Sequence, residues 1–383
     1  MFGANLFQFN PEGNAVDAAY RERFAEVMNF ATLPFYWSTY EPERGRPETA
    51  ARLEAARWCR ARGILPKGHP LIWNDQPPWV AALVPEQAER LMWARIPDEL
   101  HRFAGQIDCW DVVNEATEGR KYARQRGAEY LDQAYARLGV SGVIQRAFKS
   151  ARAANPRATL ILNDFMTGPA YPRTIEKAVR SGAEVDVIGF QAHMHAGYWG
   201  AEKLWNVCES LGRYGKPVHL TELTLVSGEL MADENPDWET QREAWPSTPE
   251  GEQRQAEQVA ELYRLLFSHP SVTAISWWDF SDRGAWLGAP GGLLRADMTP
   301  KPAYERIRQL IQEEWTTELT IRTDVHGGLQ FRGYYGQYEI TALLPSGERT
   351  AGFRHERPLD TGPHEEAVIR LPAAPSTGGR AAG

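Results

Sequence analysis

The stretch Cys109-Trp110-Asp111-Val112-Val113-Asn114-Glu115 indicates the fold, because it joins a buried strand to two polar side chains. Its apolar, β-branched centre is typical of a strand that is covered on both faces in a parallel sheet. Asn114 and Glu115 come where such a strand gives way to a loop, and polar residues at that end of a barrel strand are typically catalytic. The pair alone also fits the start of a helix, so the role of Glu115 depends on a second carboxylate that faces it.

Strand-like and helix-like segments alternate around this stretch. The predicted strands are residues 2–9, 30–33, 64–73, 110–115, 159–164, 185–193, 218–222 and 272–278. The predicted helices are residues 18–28, 49–62, 86–100, 128–137, 143–154, 173–180, 203–211, 250–267 and 303–314. Eight strands that alternate with helices predict an α/β protein with a (β/α)8 TIM barrel rather than an open sheet.

After residue 314 the pattern changes to period two. Apolar residues alternate or cluster at 319–321, 329–331, 338–342 and 368–369, between turn signals such as His326-Gly327-Gly328, which predicts strands there. We predict three parts: a catalytic barrel over 1–314, a small β-sandwich-like module over 315–372 and a disordered tail over 373–383. Tyr334 and Tyr335 fit either a carbohydrate-binding module or a packing module. The lack of a flexible linker after residue 314 favours a module that packs on the barrel.

The second carboxylate is Glu222, in the stretch Val218-His219-Leu220-Thr221-Glu222-Leu223-Thr224. It ends the seventh predicted strand, which lies roughly opposite the fourth in an eight-stranded barrel. Glu115 and Glu222 can therefore face each other across the barrel mouth. Glycoside cleavage needs such a pair, one carboxylic acid for the leaving oxygen and one carboxylate that attacks or activates water. An ion pair at the barrel end is the alternative role for Glu222.

The composition limits the possible partners. A formal net charge of −8 argues against nucleic acid. The 14 tryptophans suit stacking on sugar rings, although core packing is the alternative use. The cysteines Cys59, Cys109 and Cys208 have the spacing of neither a disulfide framework nor a zinc site. No run is long and apolar enough to span a membrane, and no signal peptide precedes residues 2–9. We expect a monomer without nucleic-acid or membrane partners.

Further motifs give a resemblance to the family 10 glycoside hydrolases, best known for endo-β-1,4-xylanases, over roughly residues 1–313. The motifs are Gly68-His69 through Trp73 and Gln76, Trp110 to Glu115, Leu162-Asn163-Asp164, Gly189-Phe190-Gln191-Ala192-His193, Thr221-Glu222-Leu223, Trp278 with Asp282 and Trp286, and Pro300-Lys301-Pro302-Ala303-Tyr304. Their shared order and spacing make the resemblance specific.

The resemblance implies a retaining mechanism, with Glu115 as acid/base and Glu222 as nucleophile, no cofactor and no metal. It implies xylan or a related β-glycan as substrate, and an extracellular or periplasmic location. By the same resemblance, residues next to the cleaved bond are His69, Trp73, Gln76, Asn114, Gln191 and His193, with Trp278 and Trp286 as aromatic walls. Alternative roles are core packing for Trp73 and Trp278, support from behind the site for His69, and metal binding for His193-Met194-His195.

The sequence departs from the family pattern at several positions. The family's Glu-Asn…Lys-Trp set becomes Thr32, Leu33 and Tyr36 before Trp37, so three polar sugar contacts are replaced. Its Thr-Glu-Leu-Asp becomes a stretch that ends in Thr224, which removes an acid that supports the histidine beside the nucleophile. Three hypotheses follow: a xylanase-type hydrolase, a hydrolase of another β-linked glycan or oligosaccharide, and a carbohydrate-binding protein that has lost catalysis.

Overall fold

Eight parallel strands close into a barrel in chain order, as predicted. The computed structural model describes residues 1–232, 238, 240–344 and 347–355, with the backbone alone at 354 and 355. The barrel strands are β1 Phe2–Asn5, β2 Phe30–Pro34, β3 Leu65–His69, β4 Cys109–Asn114, β5 Thr159–Asp164, β6 Val187–Met194, β7 Val218–Leu225 and β8 Val272–Trp277. The predicted (β/α)8 TIM barrel is therefore confirmed.

Helices connect successive strands. They are α1 Ala15–Val27, α2 Trp37–Tyr40, α3 Thr49–Arg60, α4 Pro78–Ala81, α5 Pro85–Phe103, α6 Gly119–Gln125, α7 Glu129–Ala154, α8 Ala170–Arg180, α9 Ala201–Gly212, α10 Pro249–Ser268 and α11 Pro302–Gln309. Short 3₁₀ turns span Ala116–Glu118 and Trp286–Gly288, and a π-helical turn, Leu310–Glu314, follows α11. The two helices predicted at 128–137 and 143–154 form one segment, α7, interrupted at Gly139, which has φ 69°.

Local sequence signals explain several helix starts. Asn14 caps α1 by accepting from the backbone N–H groups of Val16 and Asp17, and the Asp17 carboxylate accepts from the Asn14 N–H in return. Thr248 caps α10 by accepting from the Gly251 N–H, just before Pro249 at the first helical position. These caps satisfy backbone donors that have no partner inside the helix.

Close packing inside the barrel depends on small residues at chosen positions. A Cβ atom at Gly68 would lie 2.2 Å from the ring of Trp110, which is fully buried. Glycine at this position in β3 therefore lets the largest side chain of β4 fill the interior. A buried cluster with one residue from each of five strands completes this part of the core: Phe30, Cys109, Ile161, Val187 and Ala274.

The chain divides into two compact units, Met1–Leu310 and Ile311–Gly383. In the second unit, β9 Gly336–Leu344 and β10 Gly347–His355 pair antiparallel, which confirms a small C-terminal β module. The period-two segments around 319–321 and 329–331 do not pair as strands within the described residues. Tyr334 and Tyr335 are exposed, by 42% and 52%. The predicted strand at 368–369 and the tail 373–383 lie outside the described residues.

No helix in the described part of the chain combines the length and apolar character needed to cross a bilayer.

Candidate active site

Glu115 and Glu222 both lie at the carboxyl-end rim of the barrel. Glu115 directly follows β4 and takes a left-handed backbone conformation, with φ 57° and ψ 38°. Its backbone N–H donates to the Asn163 carbonyl of β5 at 2.8 Å, which ties this residue to the neighbouring strand. Glu222 lies within β7, opposite Gln191 of β6 in the ladder. The barrel thus brings the two predicted carboxylates to the same rim.

Three donors hold the Glu115 carboxyl group. The Trp73 indole N–H donates to Oε2 at 2.8 Å, and the amides of Gln191 and Asn114 donate to Oε1 at 3.0 and 3.1 Å. Burial raises the pKa of Glu115 to about 7, and the charge of Glu222 adds to the rise, while hydrogen bonds oppose it. Glu115 can therefore carry a proton near neutral pH, as an acid catalyst must.

The Glu222 carboxyl group has different neighbours. Oε1 accepts from the Asn163 amide at 2.9 Å, and Oε2 lies 3.1 Å from Nε2 of His193. Burial raises the pKa of Glu222 to about 6, although the charges of His69 and Lys67 oppose the rise. Glu222 therefore ionises at a lower pH than Glu115, and the environments of the two groups separate their protonation states.

Side-chain amides link the two carboxyl groups. Gln191 donates to both Glu115 Oε1 and Asn114 Oδ1, the latter at 3.3 Å. Asn163 donates to the same Asn114 oxygen at 2.8 Å and to Glu222. Its own Oδ1 accepts from the Thr221 hydroxyl at 2.5 Å, which fixes the amide orientation. A shared network therefore positions both carboxyl groups on the rigid ends of β4 to β7.

A buried charge cluster lies behind Glu222. Asp111 Oδ2 contacts Lys67 Nζ at 2.6 Å and His69 Nδ1 at 2.7 Å. The other ring nitrogen of His69 lies 3.8 Å from Glu222 Oε1. Although burial would raise it, the Lys67 and His69 charges hold the pKa of Asp111 below its usual value. Asp111 thus remains an anion that orients the His69 ring toward Glu222.

Thr224, where the family pattern has an acid, contacts the histidine beside Glu222. Its hydroxyl lies 3.1 Å from Nδ1 of His193, whose Nε2 faces Glu222. Burial lowers the pKa of His193 to about 3, so the ring is neutral. A neutral imidazole that donates to a carboxylate through Nε2 accepts at Nδ1, and the Thr224 hydroxyl supplies that donor. An uncharged group therefore orients His193.

Aromatic rings border the site. Trp278 packs edge-to-face on His69 and His193, with ring centroids 5.5 and 5.9 Å apart. The ring centroids of Trp286 and His193 are 4.7 Å apart, and those of Tyr36 and His69 are 5.4 Å apart. Trp73 is half-buried and binds Glu115 through its N–H, so it is placed at the site and not only in the core.

Gln76 lies apart from this network. Its amide donates to the Gly127 carbonyl, in the turn that precedes α7, at 3.0 Å. Its neighbour Asp75 accepts from the backbone N–H and the hydroxyl of Ser38, both at 2.7 Å, and so holds the start of α2. The Trp73-Asn74-Asp75-Gln76 stretch therefore supplies one contact to a carboxyl group, through Trp73, and otherwise supports the rim.

The sequence does not give the roles of several residues of the site. Asn163, within the Leu162-Asn163-Asp164 motif, and Lys67 belong to strands with polar residues near their ends, but their partners depend on side-chain direction. Asp279 directly follows Trp278, is 7% exposed and accepts from the Trp286 N–H at 3.2 Å. Burial raises the pKa of Asp279 to about 7, and Glu222 contributes to the rise. A third carboxyl group is therefore near enough to Glu222 to interact with its charge.

The two histidines of the His193-Met194-His195 stretch have different neighbours, His193 beside Glu222 and His195 among tryptophan rings. His195 packs against the rings of Trp238, Trp245 and Trp286. Among the described residues, no group of three or more His, Cys, Asp or Glu side chains is placed to hold a metal ion.

Comparisons with known proteins identify the family. The chain matches glycosyl hydrolase family 10 over residues 12–310. Anti-sigma-I factor RsgI6 of Acetivibrio thermocellus is 29% identical over 344 residues, covering 86% of this chain and 40% of that protein. Endo-1,4-beta-xylanase 2 of Arabidopsis thaliana is 25% identical over 333 residues, covering 84% of this chain and 28% of that protein. The chain thus spans less than half the length of these two relatives.

A solved structure shares the fold. Xylanase 10B from Thermotoga petrophila RKU-1, in complex with xylobiose, superposes with a TM-score of 0.67 at 22% sequence identity, covering 82% of this chain and 94% of that chain. Because the match to the family extends over most of the chain and the barrel agrees with it, this protein belongs to glycosyl hydrolase family 10.

Proposed function

We propose that this chain is a retaining glycoside hydrolase that cleaves β-1,4-xylan or a related xylan-type β-glycan by double displacement. The observation that carries the proposal is the pair of hydrogen-bonded carboxyl groups on one rim, with pKa values raised to about 7 at Glu115 and about 6 at Glu222. Between these values one group is mainly protonated while the other is mainly ionised, which is the division of roles that the reaction requires.

In the first step, Glu115 gives its proton to the glycosidic oxygen while a Glu222 oxygen attacks the anomeric carbon. The bond to the leaving sugar breaks, and a covalent glycosyl ester on Glu222 forms. In the second step, the Glu115 carboxylate takes a proton from a water molecule whose oxygen attacks the same carbon. The ester bond breaks, Glu222 leaves as a carboxylate, and two inversions give net retention.

The electrostatics of the pair support this cycle. The charge of Glu222 is one of the causes that raise the pKa of Glu115. Formation of the ester removes that charge, so the pKa of Glu115 falls after the first step. Glu115 then holds its proton less tightly at the moment when it must act as a base.

Relatives support the substrate class, since two of the similar proteins are named endo-1,4-beta-xylanases, from Arabidopsis thaliana and Thermotoga neapolitana. The replacement of the family's polar sugar contacts by Thr32, Leu33 and Tyr36 favours a second candidate, a hydrolase of another β-linked glycan or oligosaccharide. Thr32 and Leu33 are fully buried, and the Thr32 hydroxyl lacks a partner, so these positions offer no exposed polar group to a sugar. A third candidate is carbohydrate binding without catalysis, since one of the similar proteins is named as an anti-sigma-I factor and not as a hydrolase.

Hydrolysis of xylan, mixed-linkage glucan and aryl β-glycosides separates the three candidates. We expect xylan-type substrates to be cleaved, with the β-anomer as the first product seen by NMR. Glu222→Gln should reduce kcat at least ~100-fold because the nucleophile is lost. An α-anomer as first product would contradict retention. Sugar binding by calorimetry without any turnover would favour the carbohydrate-binding candidate instead.

A further inference from the structure

Four aromatic rings follow one another around one side of the rim, each from the loop after a different strand. They are Trp278 after β8, Phe7 after β1, Tyr36 after β2 and Trp73 after β3, here called the aromatic arc. The centroids of successive rings are 5.3, 5.8 and 5.5 Å apart. These are contact distances for aromatic pairs, so adjacent rings leave no space for a sugar ring between them.

The arc encloses the side on which the sugar attacked by Glu222 must lie. His69 lies 3.8 Å from Glu222, and its ring contacts both Tyr36 and Trp278 of the arc. The attacked carbon belongs to the glycone, the part that stays on the enzyme, whereas Glu115 protonates the leaving sugar. The part of the arc from Trp278 to Tyr36 therefore bounds the glycone side of the site, and Trp73, at the end of the arc, reaches Glu115.

Positions that carry polar sugar contacts in the family pattern offer none here. Thr32 and Leu33, which replace two of those contacts, are fully buried, and Phe7 of the arc has no hydrogen-bonding atom in its side chain. A sugar placed beyond the first glycone unit would lose hydroxyl contacts with water without gaining partners from the protein.

The loops after β5 and β6 form a different surface. They border an open cleft of about 600 Å³, lined by Thr167, Trp199, Gly200 and Lys203 among others. The Lys203 ammonium group lies 4.4 Å from the centre of the Trp199 ring, so an aromatic face and a cation are both present. In the eight-stranded barrel β5 and β6 lie across from β1 and β2, so this cleft is on the side away from the arc, and it has room for sugar units that extend in that direction.

We propose that the site holds one sugar unit on the glycone side and several on the leaving-group side, so that it removes single units from the non-reducing ends of β-linked chains. This inference rests on the proposed function. Binding of a single glycone sugar explains why the polar contacts of the family pattern are replaced by the aromatic arc and not by other polar groups.

The test compares kcat/KM for 4-nitrophenyl β-xyloside and 4-nitrophenyl β-xylobioside, and maps the first product from reducing-end-labelled xylopentaose. We expect no gain from the second glycone sugar, and xylose plus labelled xylotetraose as first products. A preference for the bioside of about tenfold or more, or release of larger fragments from the non-reducing end, would overturn the inference alone. Lack of cleavage of all these substrates would overturn the proposed function and the inference with it.

Variants locate the effect in the arc. Tyr36→Ala should open the wall and shift the kcat/KM ratio toward the bioside by about tenfold, whereas Tyr36→Phe, which keeps the ring, should hold the ratio within about twofold. Phe9→Ala is the matched control, because Phe9 lies in the same loop as Phe7 but packs on Trp58. The ratio does not depend on the amount of folded enzyme. An unchanged ratio in both Tyr36→Ala and Phe7→Ala would overturn the role of the arc.

Discussion

Replacement of Glu115 by glutamine should remove the fall of kcat/KM at alkaline pH. With pKa values of about 6 for Glu222 and about 7 for Glu115, the form with one proton on Glu115 is about 60% populated at pH 6.5. It falls to about 9% at pH 5, where Glu222 is protonated, and at pH 8, where Glu115 is ionised. The kcat/KM of the wild type on xylo-oligosaccharides should therefore fall about sevenfold on each side of its maximum.

Glu115→Gln cannot lose a proton in this range. The leaving group of 2,4-dinitrophenyl β-xyloside departs as an anion and needs no proton. On this substrate the kcat/KM of the variant should not fall between pH 6.5 and 8, and it should rise by about 1.3-fold as Glu222 completes its ionisation. The fall below pH 6 should remain, because it belongs to Glu222. On xylo-oligosaccharides, whose leaving sugar needs the proton, the variant should lose at least ~100-fold in kcat/KM.

Glu118→Gln is the matched control, since Glu118 lies in the 3₁₀ turn directly after Glu115. It should keep both sides of the profile. If Glu115→Gln still lost activity above pH 7 on the activated substrate, or kept near-wild-type turnover on xylo-oligosaccharides, Glu115 would not be the proton donor.

Three further substitutions test other parts of the structure. Thr224→Val should lower kcat about tenfold with little change in KM, because the imidazole beside the nucleophile loses its orienting donor, and Thr224→Ser should restore kcat; equal rates for all three proteins would contradict that role. Gly68→Ala should lower the free energy of unfolding by about 1–3 kcal/mol in denaturant titrations, because its Cβ would clash with Trp110, whereas Gly168→Ala, in open space, should be neutral. Lys301→Met should lower Tm by several degrees, because the Asp282 carboxylate, only 16% exposed, would lose the ammonium group 2.7 Å away, at a cost of up to about 3 kcal/mol; an unchanged Tm would show that this ion pair is dispensable.

The order of barrel strands could be predicted because each is an apolar run between helix signals. Strand ends were less predictable. The apolar run 64–73 continues past His69, where β3 ends, yet the Leu71 and Ile72 N–H groups still donate to β4 carbonyls. The prediction that the seventh strand ends at Glu222 is wrong, because β7 pairs with β6 through Leu225. Such ends depend on the neighbouring strand and not on the local pattern.

In the candidate site, too, the positions of residues along the chain could be predicted but their contacts could not. Polar residues at strand ends identified Glu115 and Glu222, because the barrel topology alone brings such residues to one rim. The topology does not fix side-chain directions, so it could not predict that Gln76 would bind the Gly127 carbonyl or that Asn163 would link the two carboxyl groups. In the C-terminal unit, period two correctly indicated β9, but pairing needs a partner strand, which the segments around 319–321 and 329–331 lack within the described residues.

The left-handed backbone at Glu115 makes a glutamate at this position costly for the stability of the fold. A residue with a side chain costs about 1–2 kcal/mol in that conformation. Because the pKa of Glu115 is raised from 4.5 to about 7 on folding, a second cost appears as the pH rises above about 4.5 and reaches on the order of 3 kcal/mol above pH 7. Glu115→Gly would remove both costs. On these two costs alone a glycine would be more stable at this position, so under the proposed function the glutamate serves catalysis and not folding.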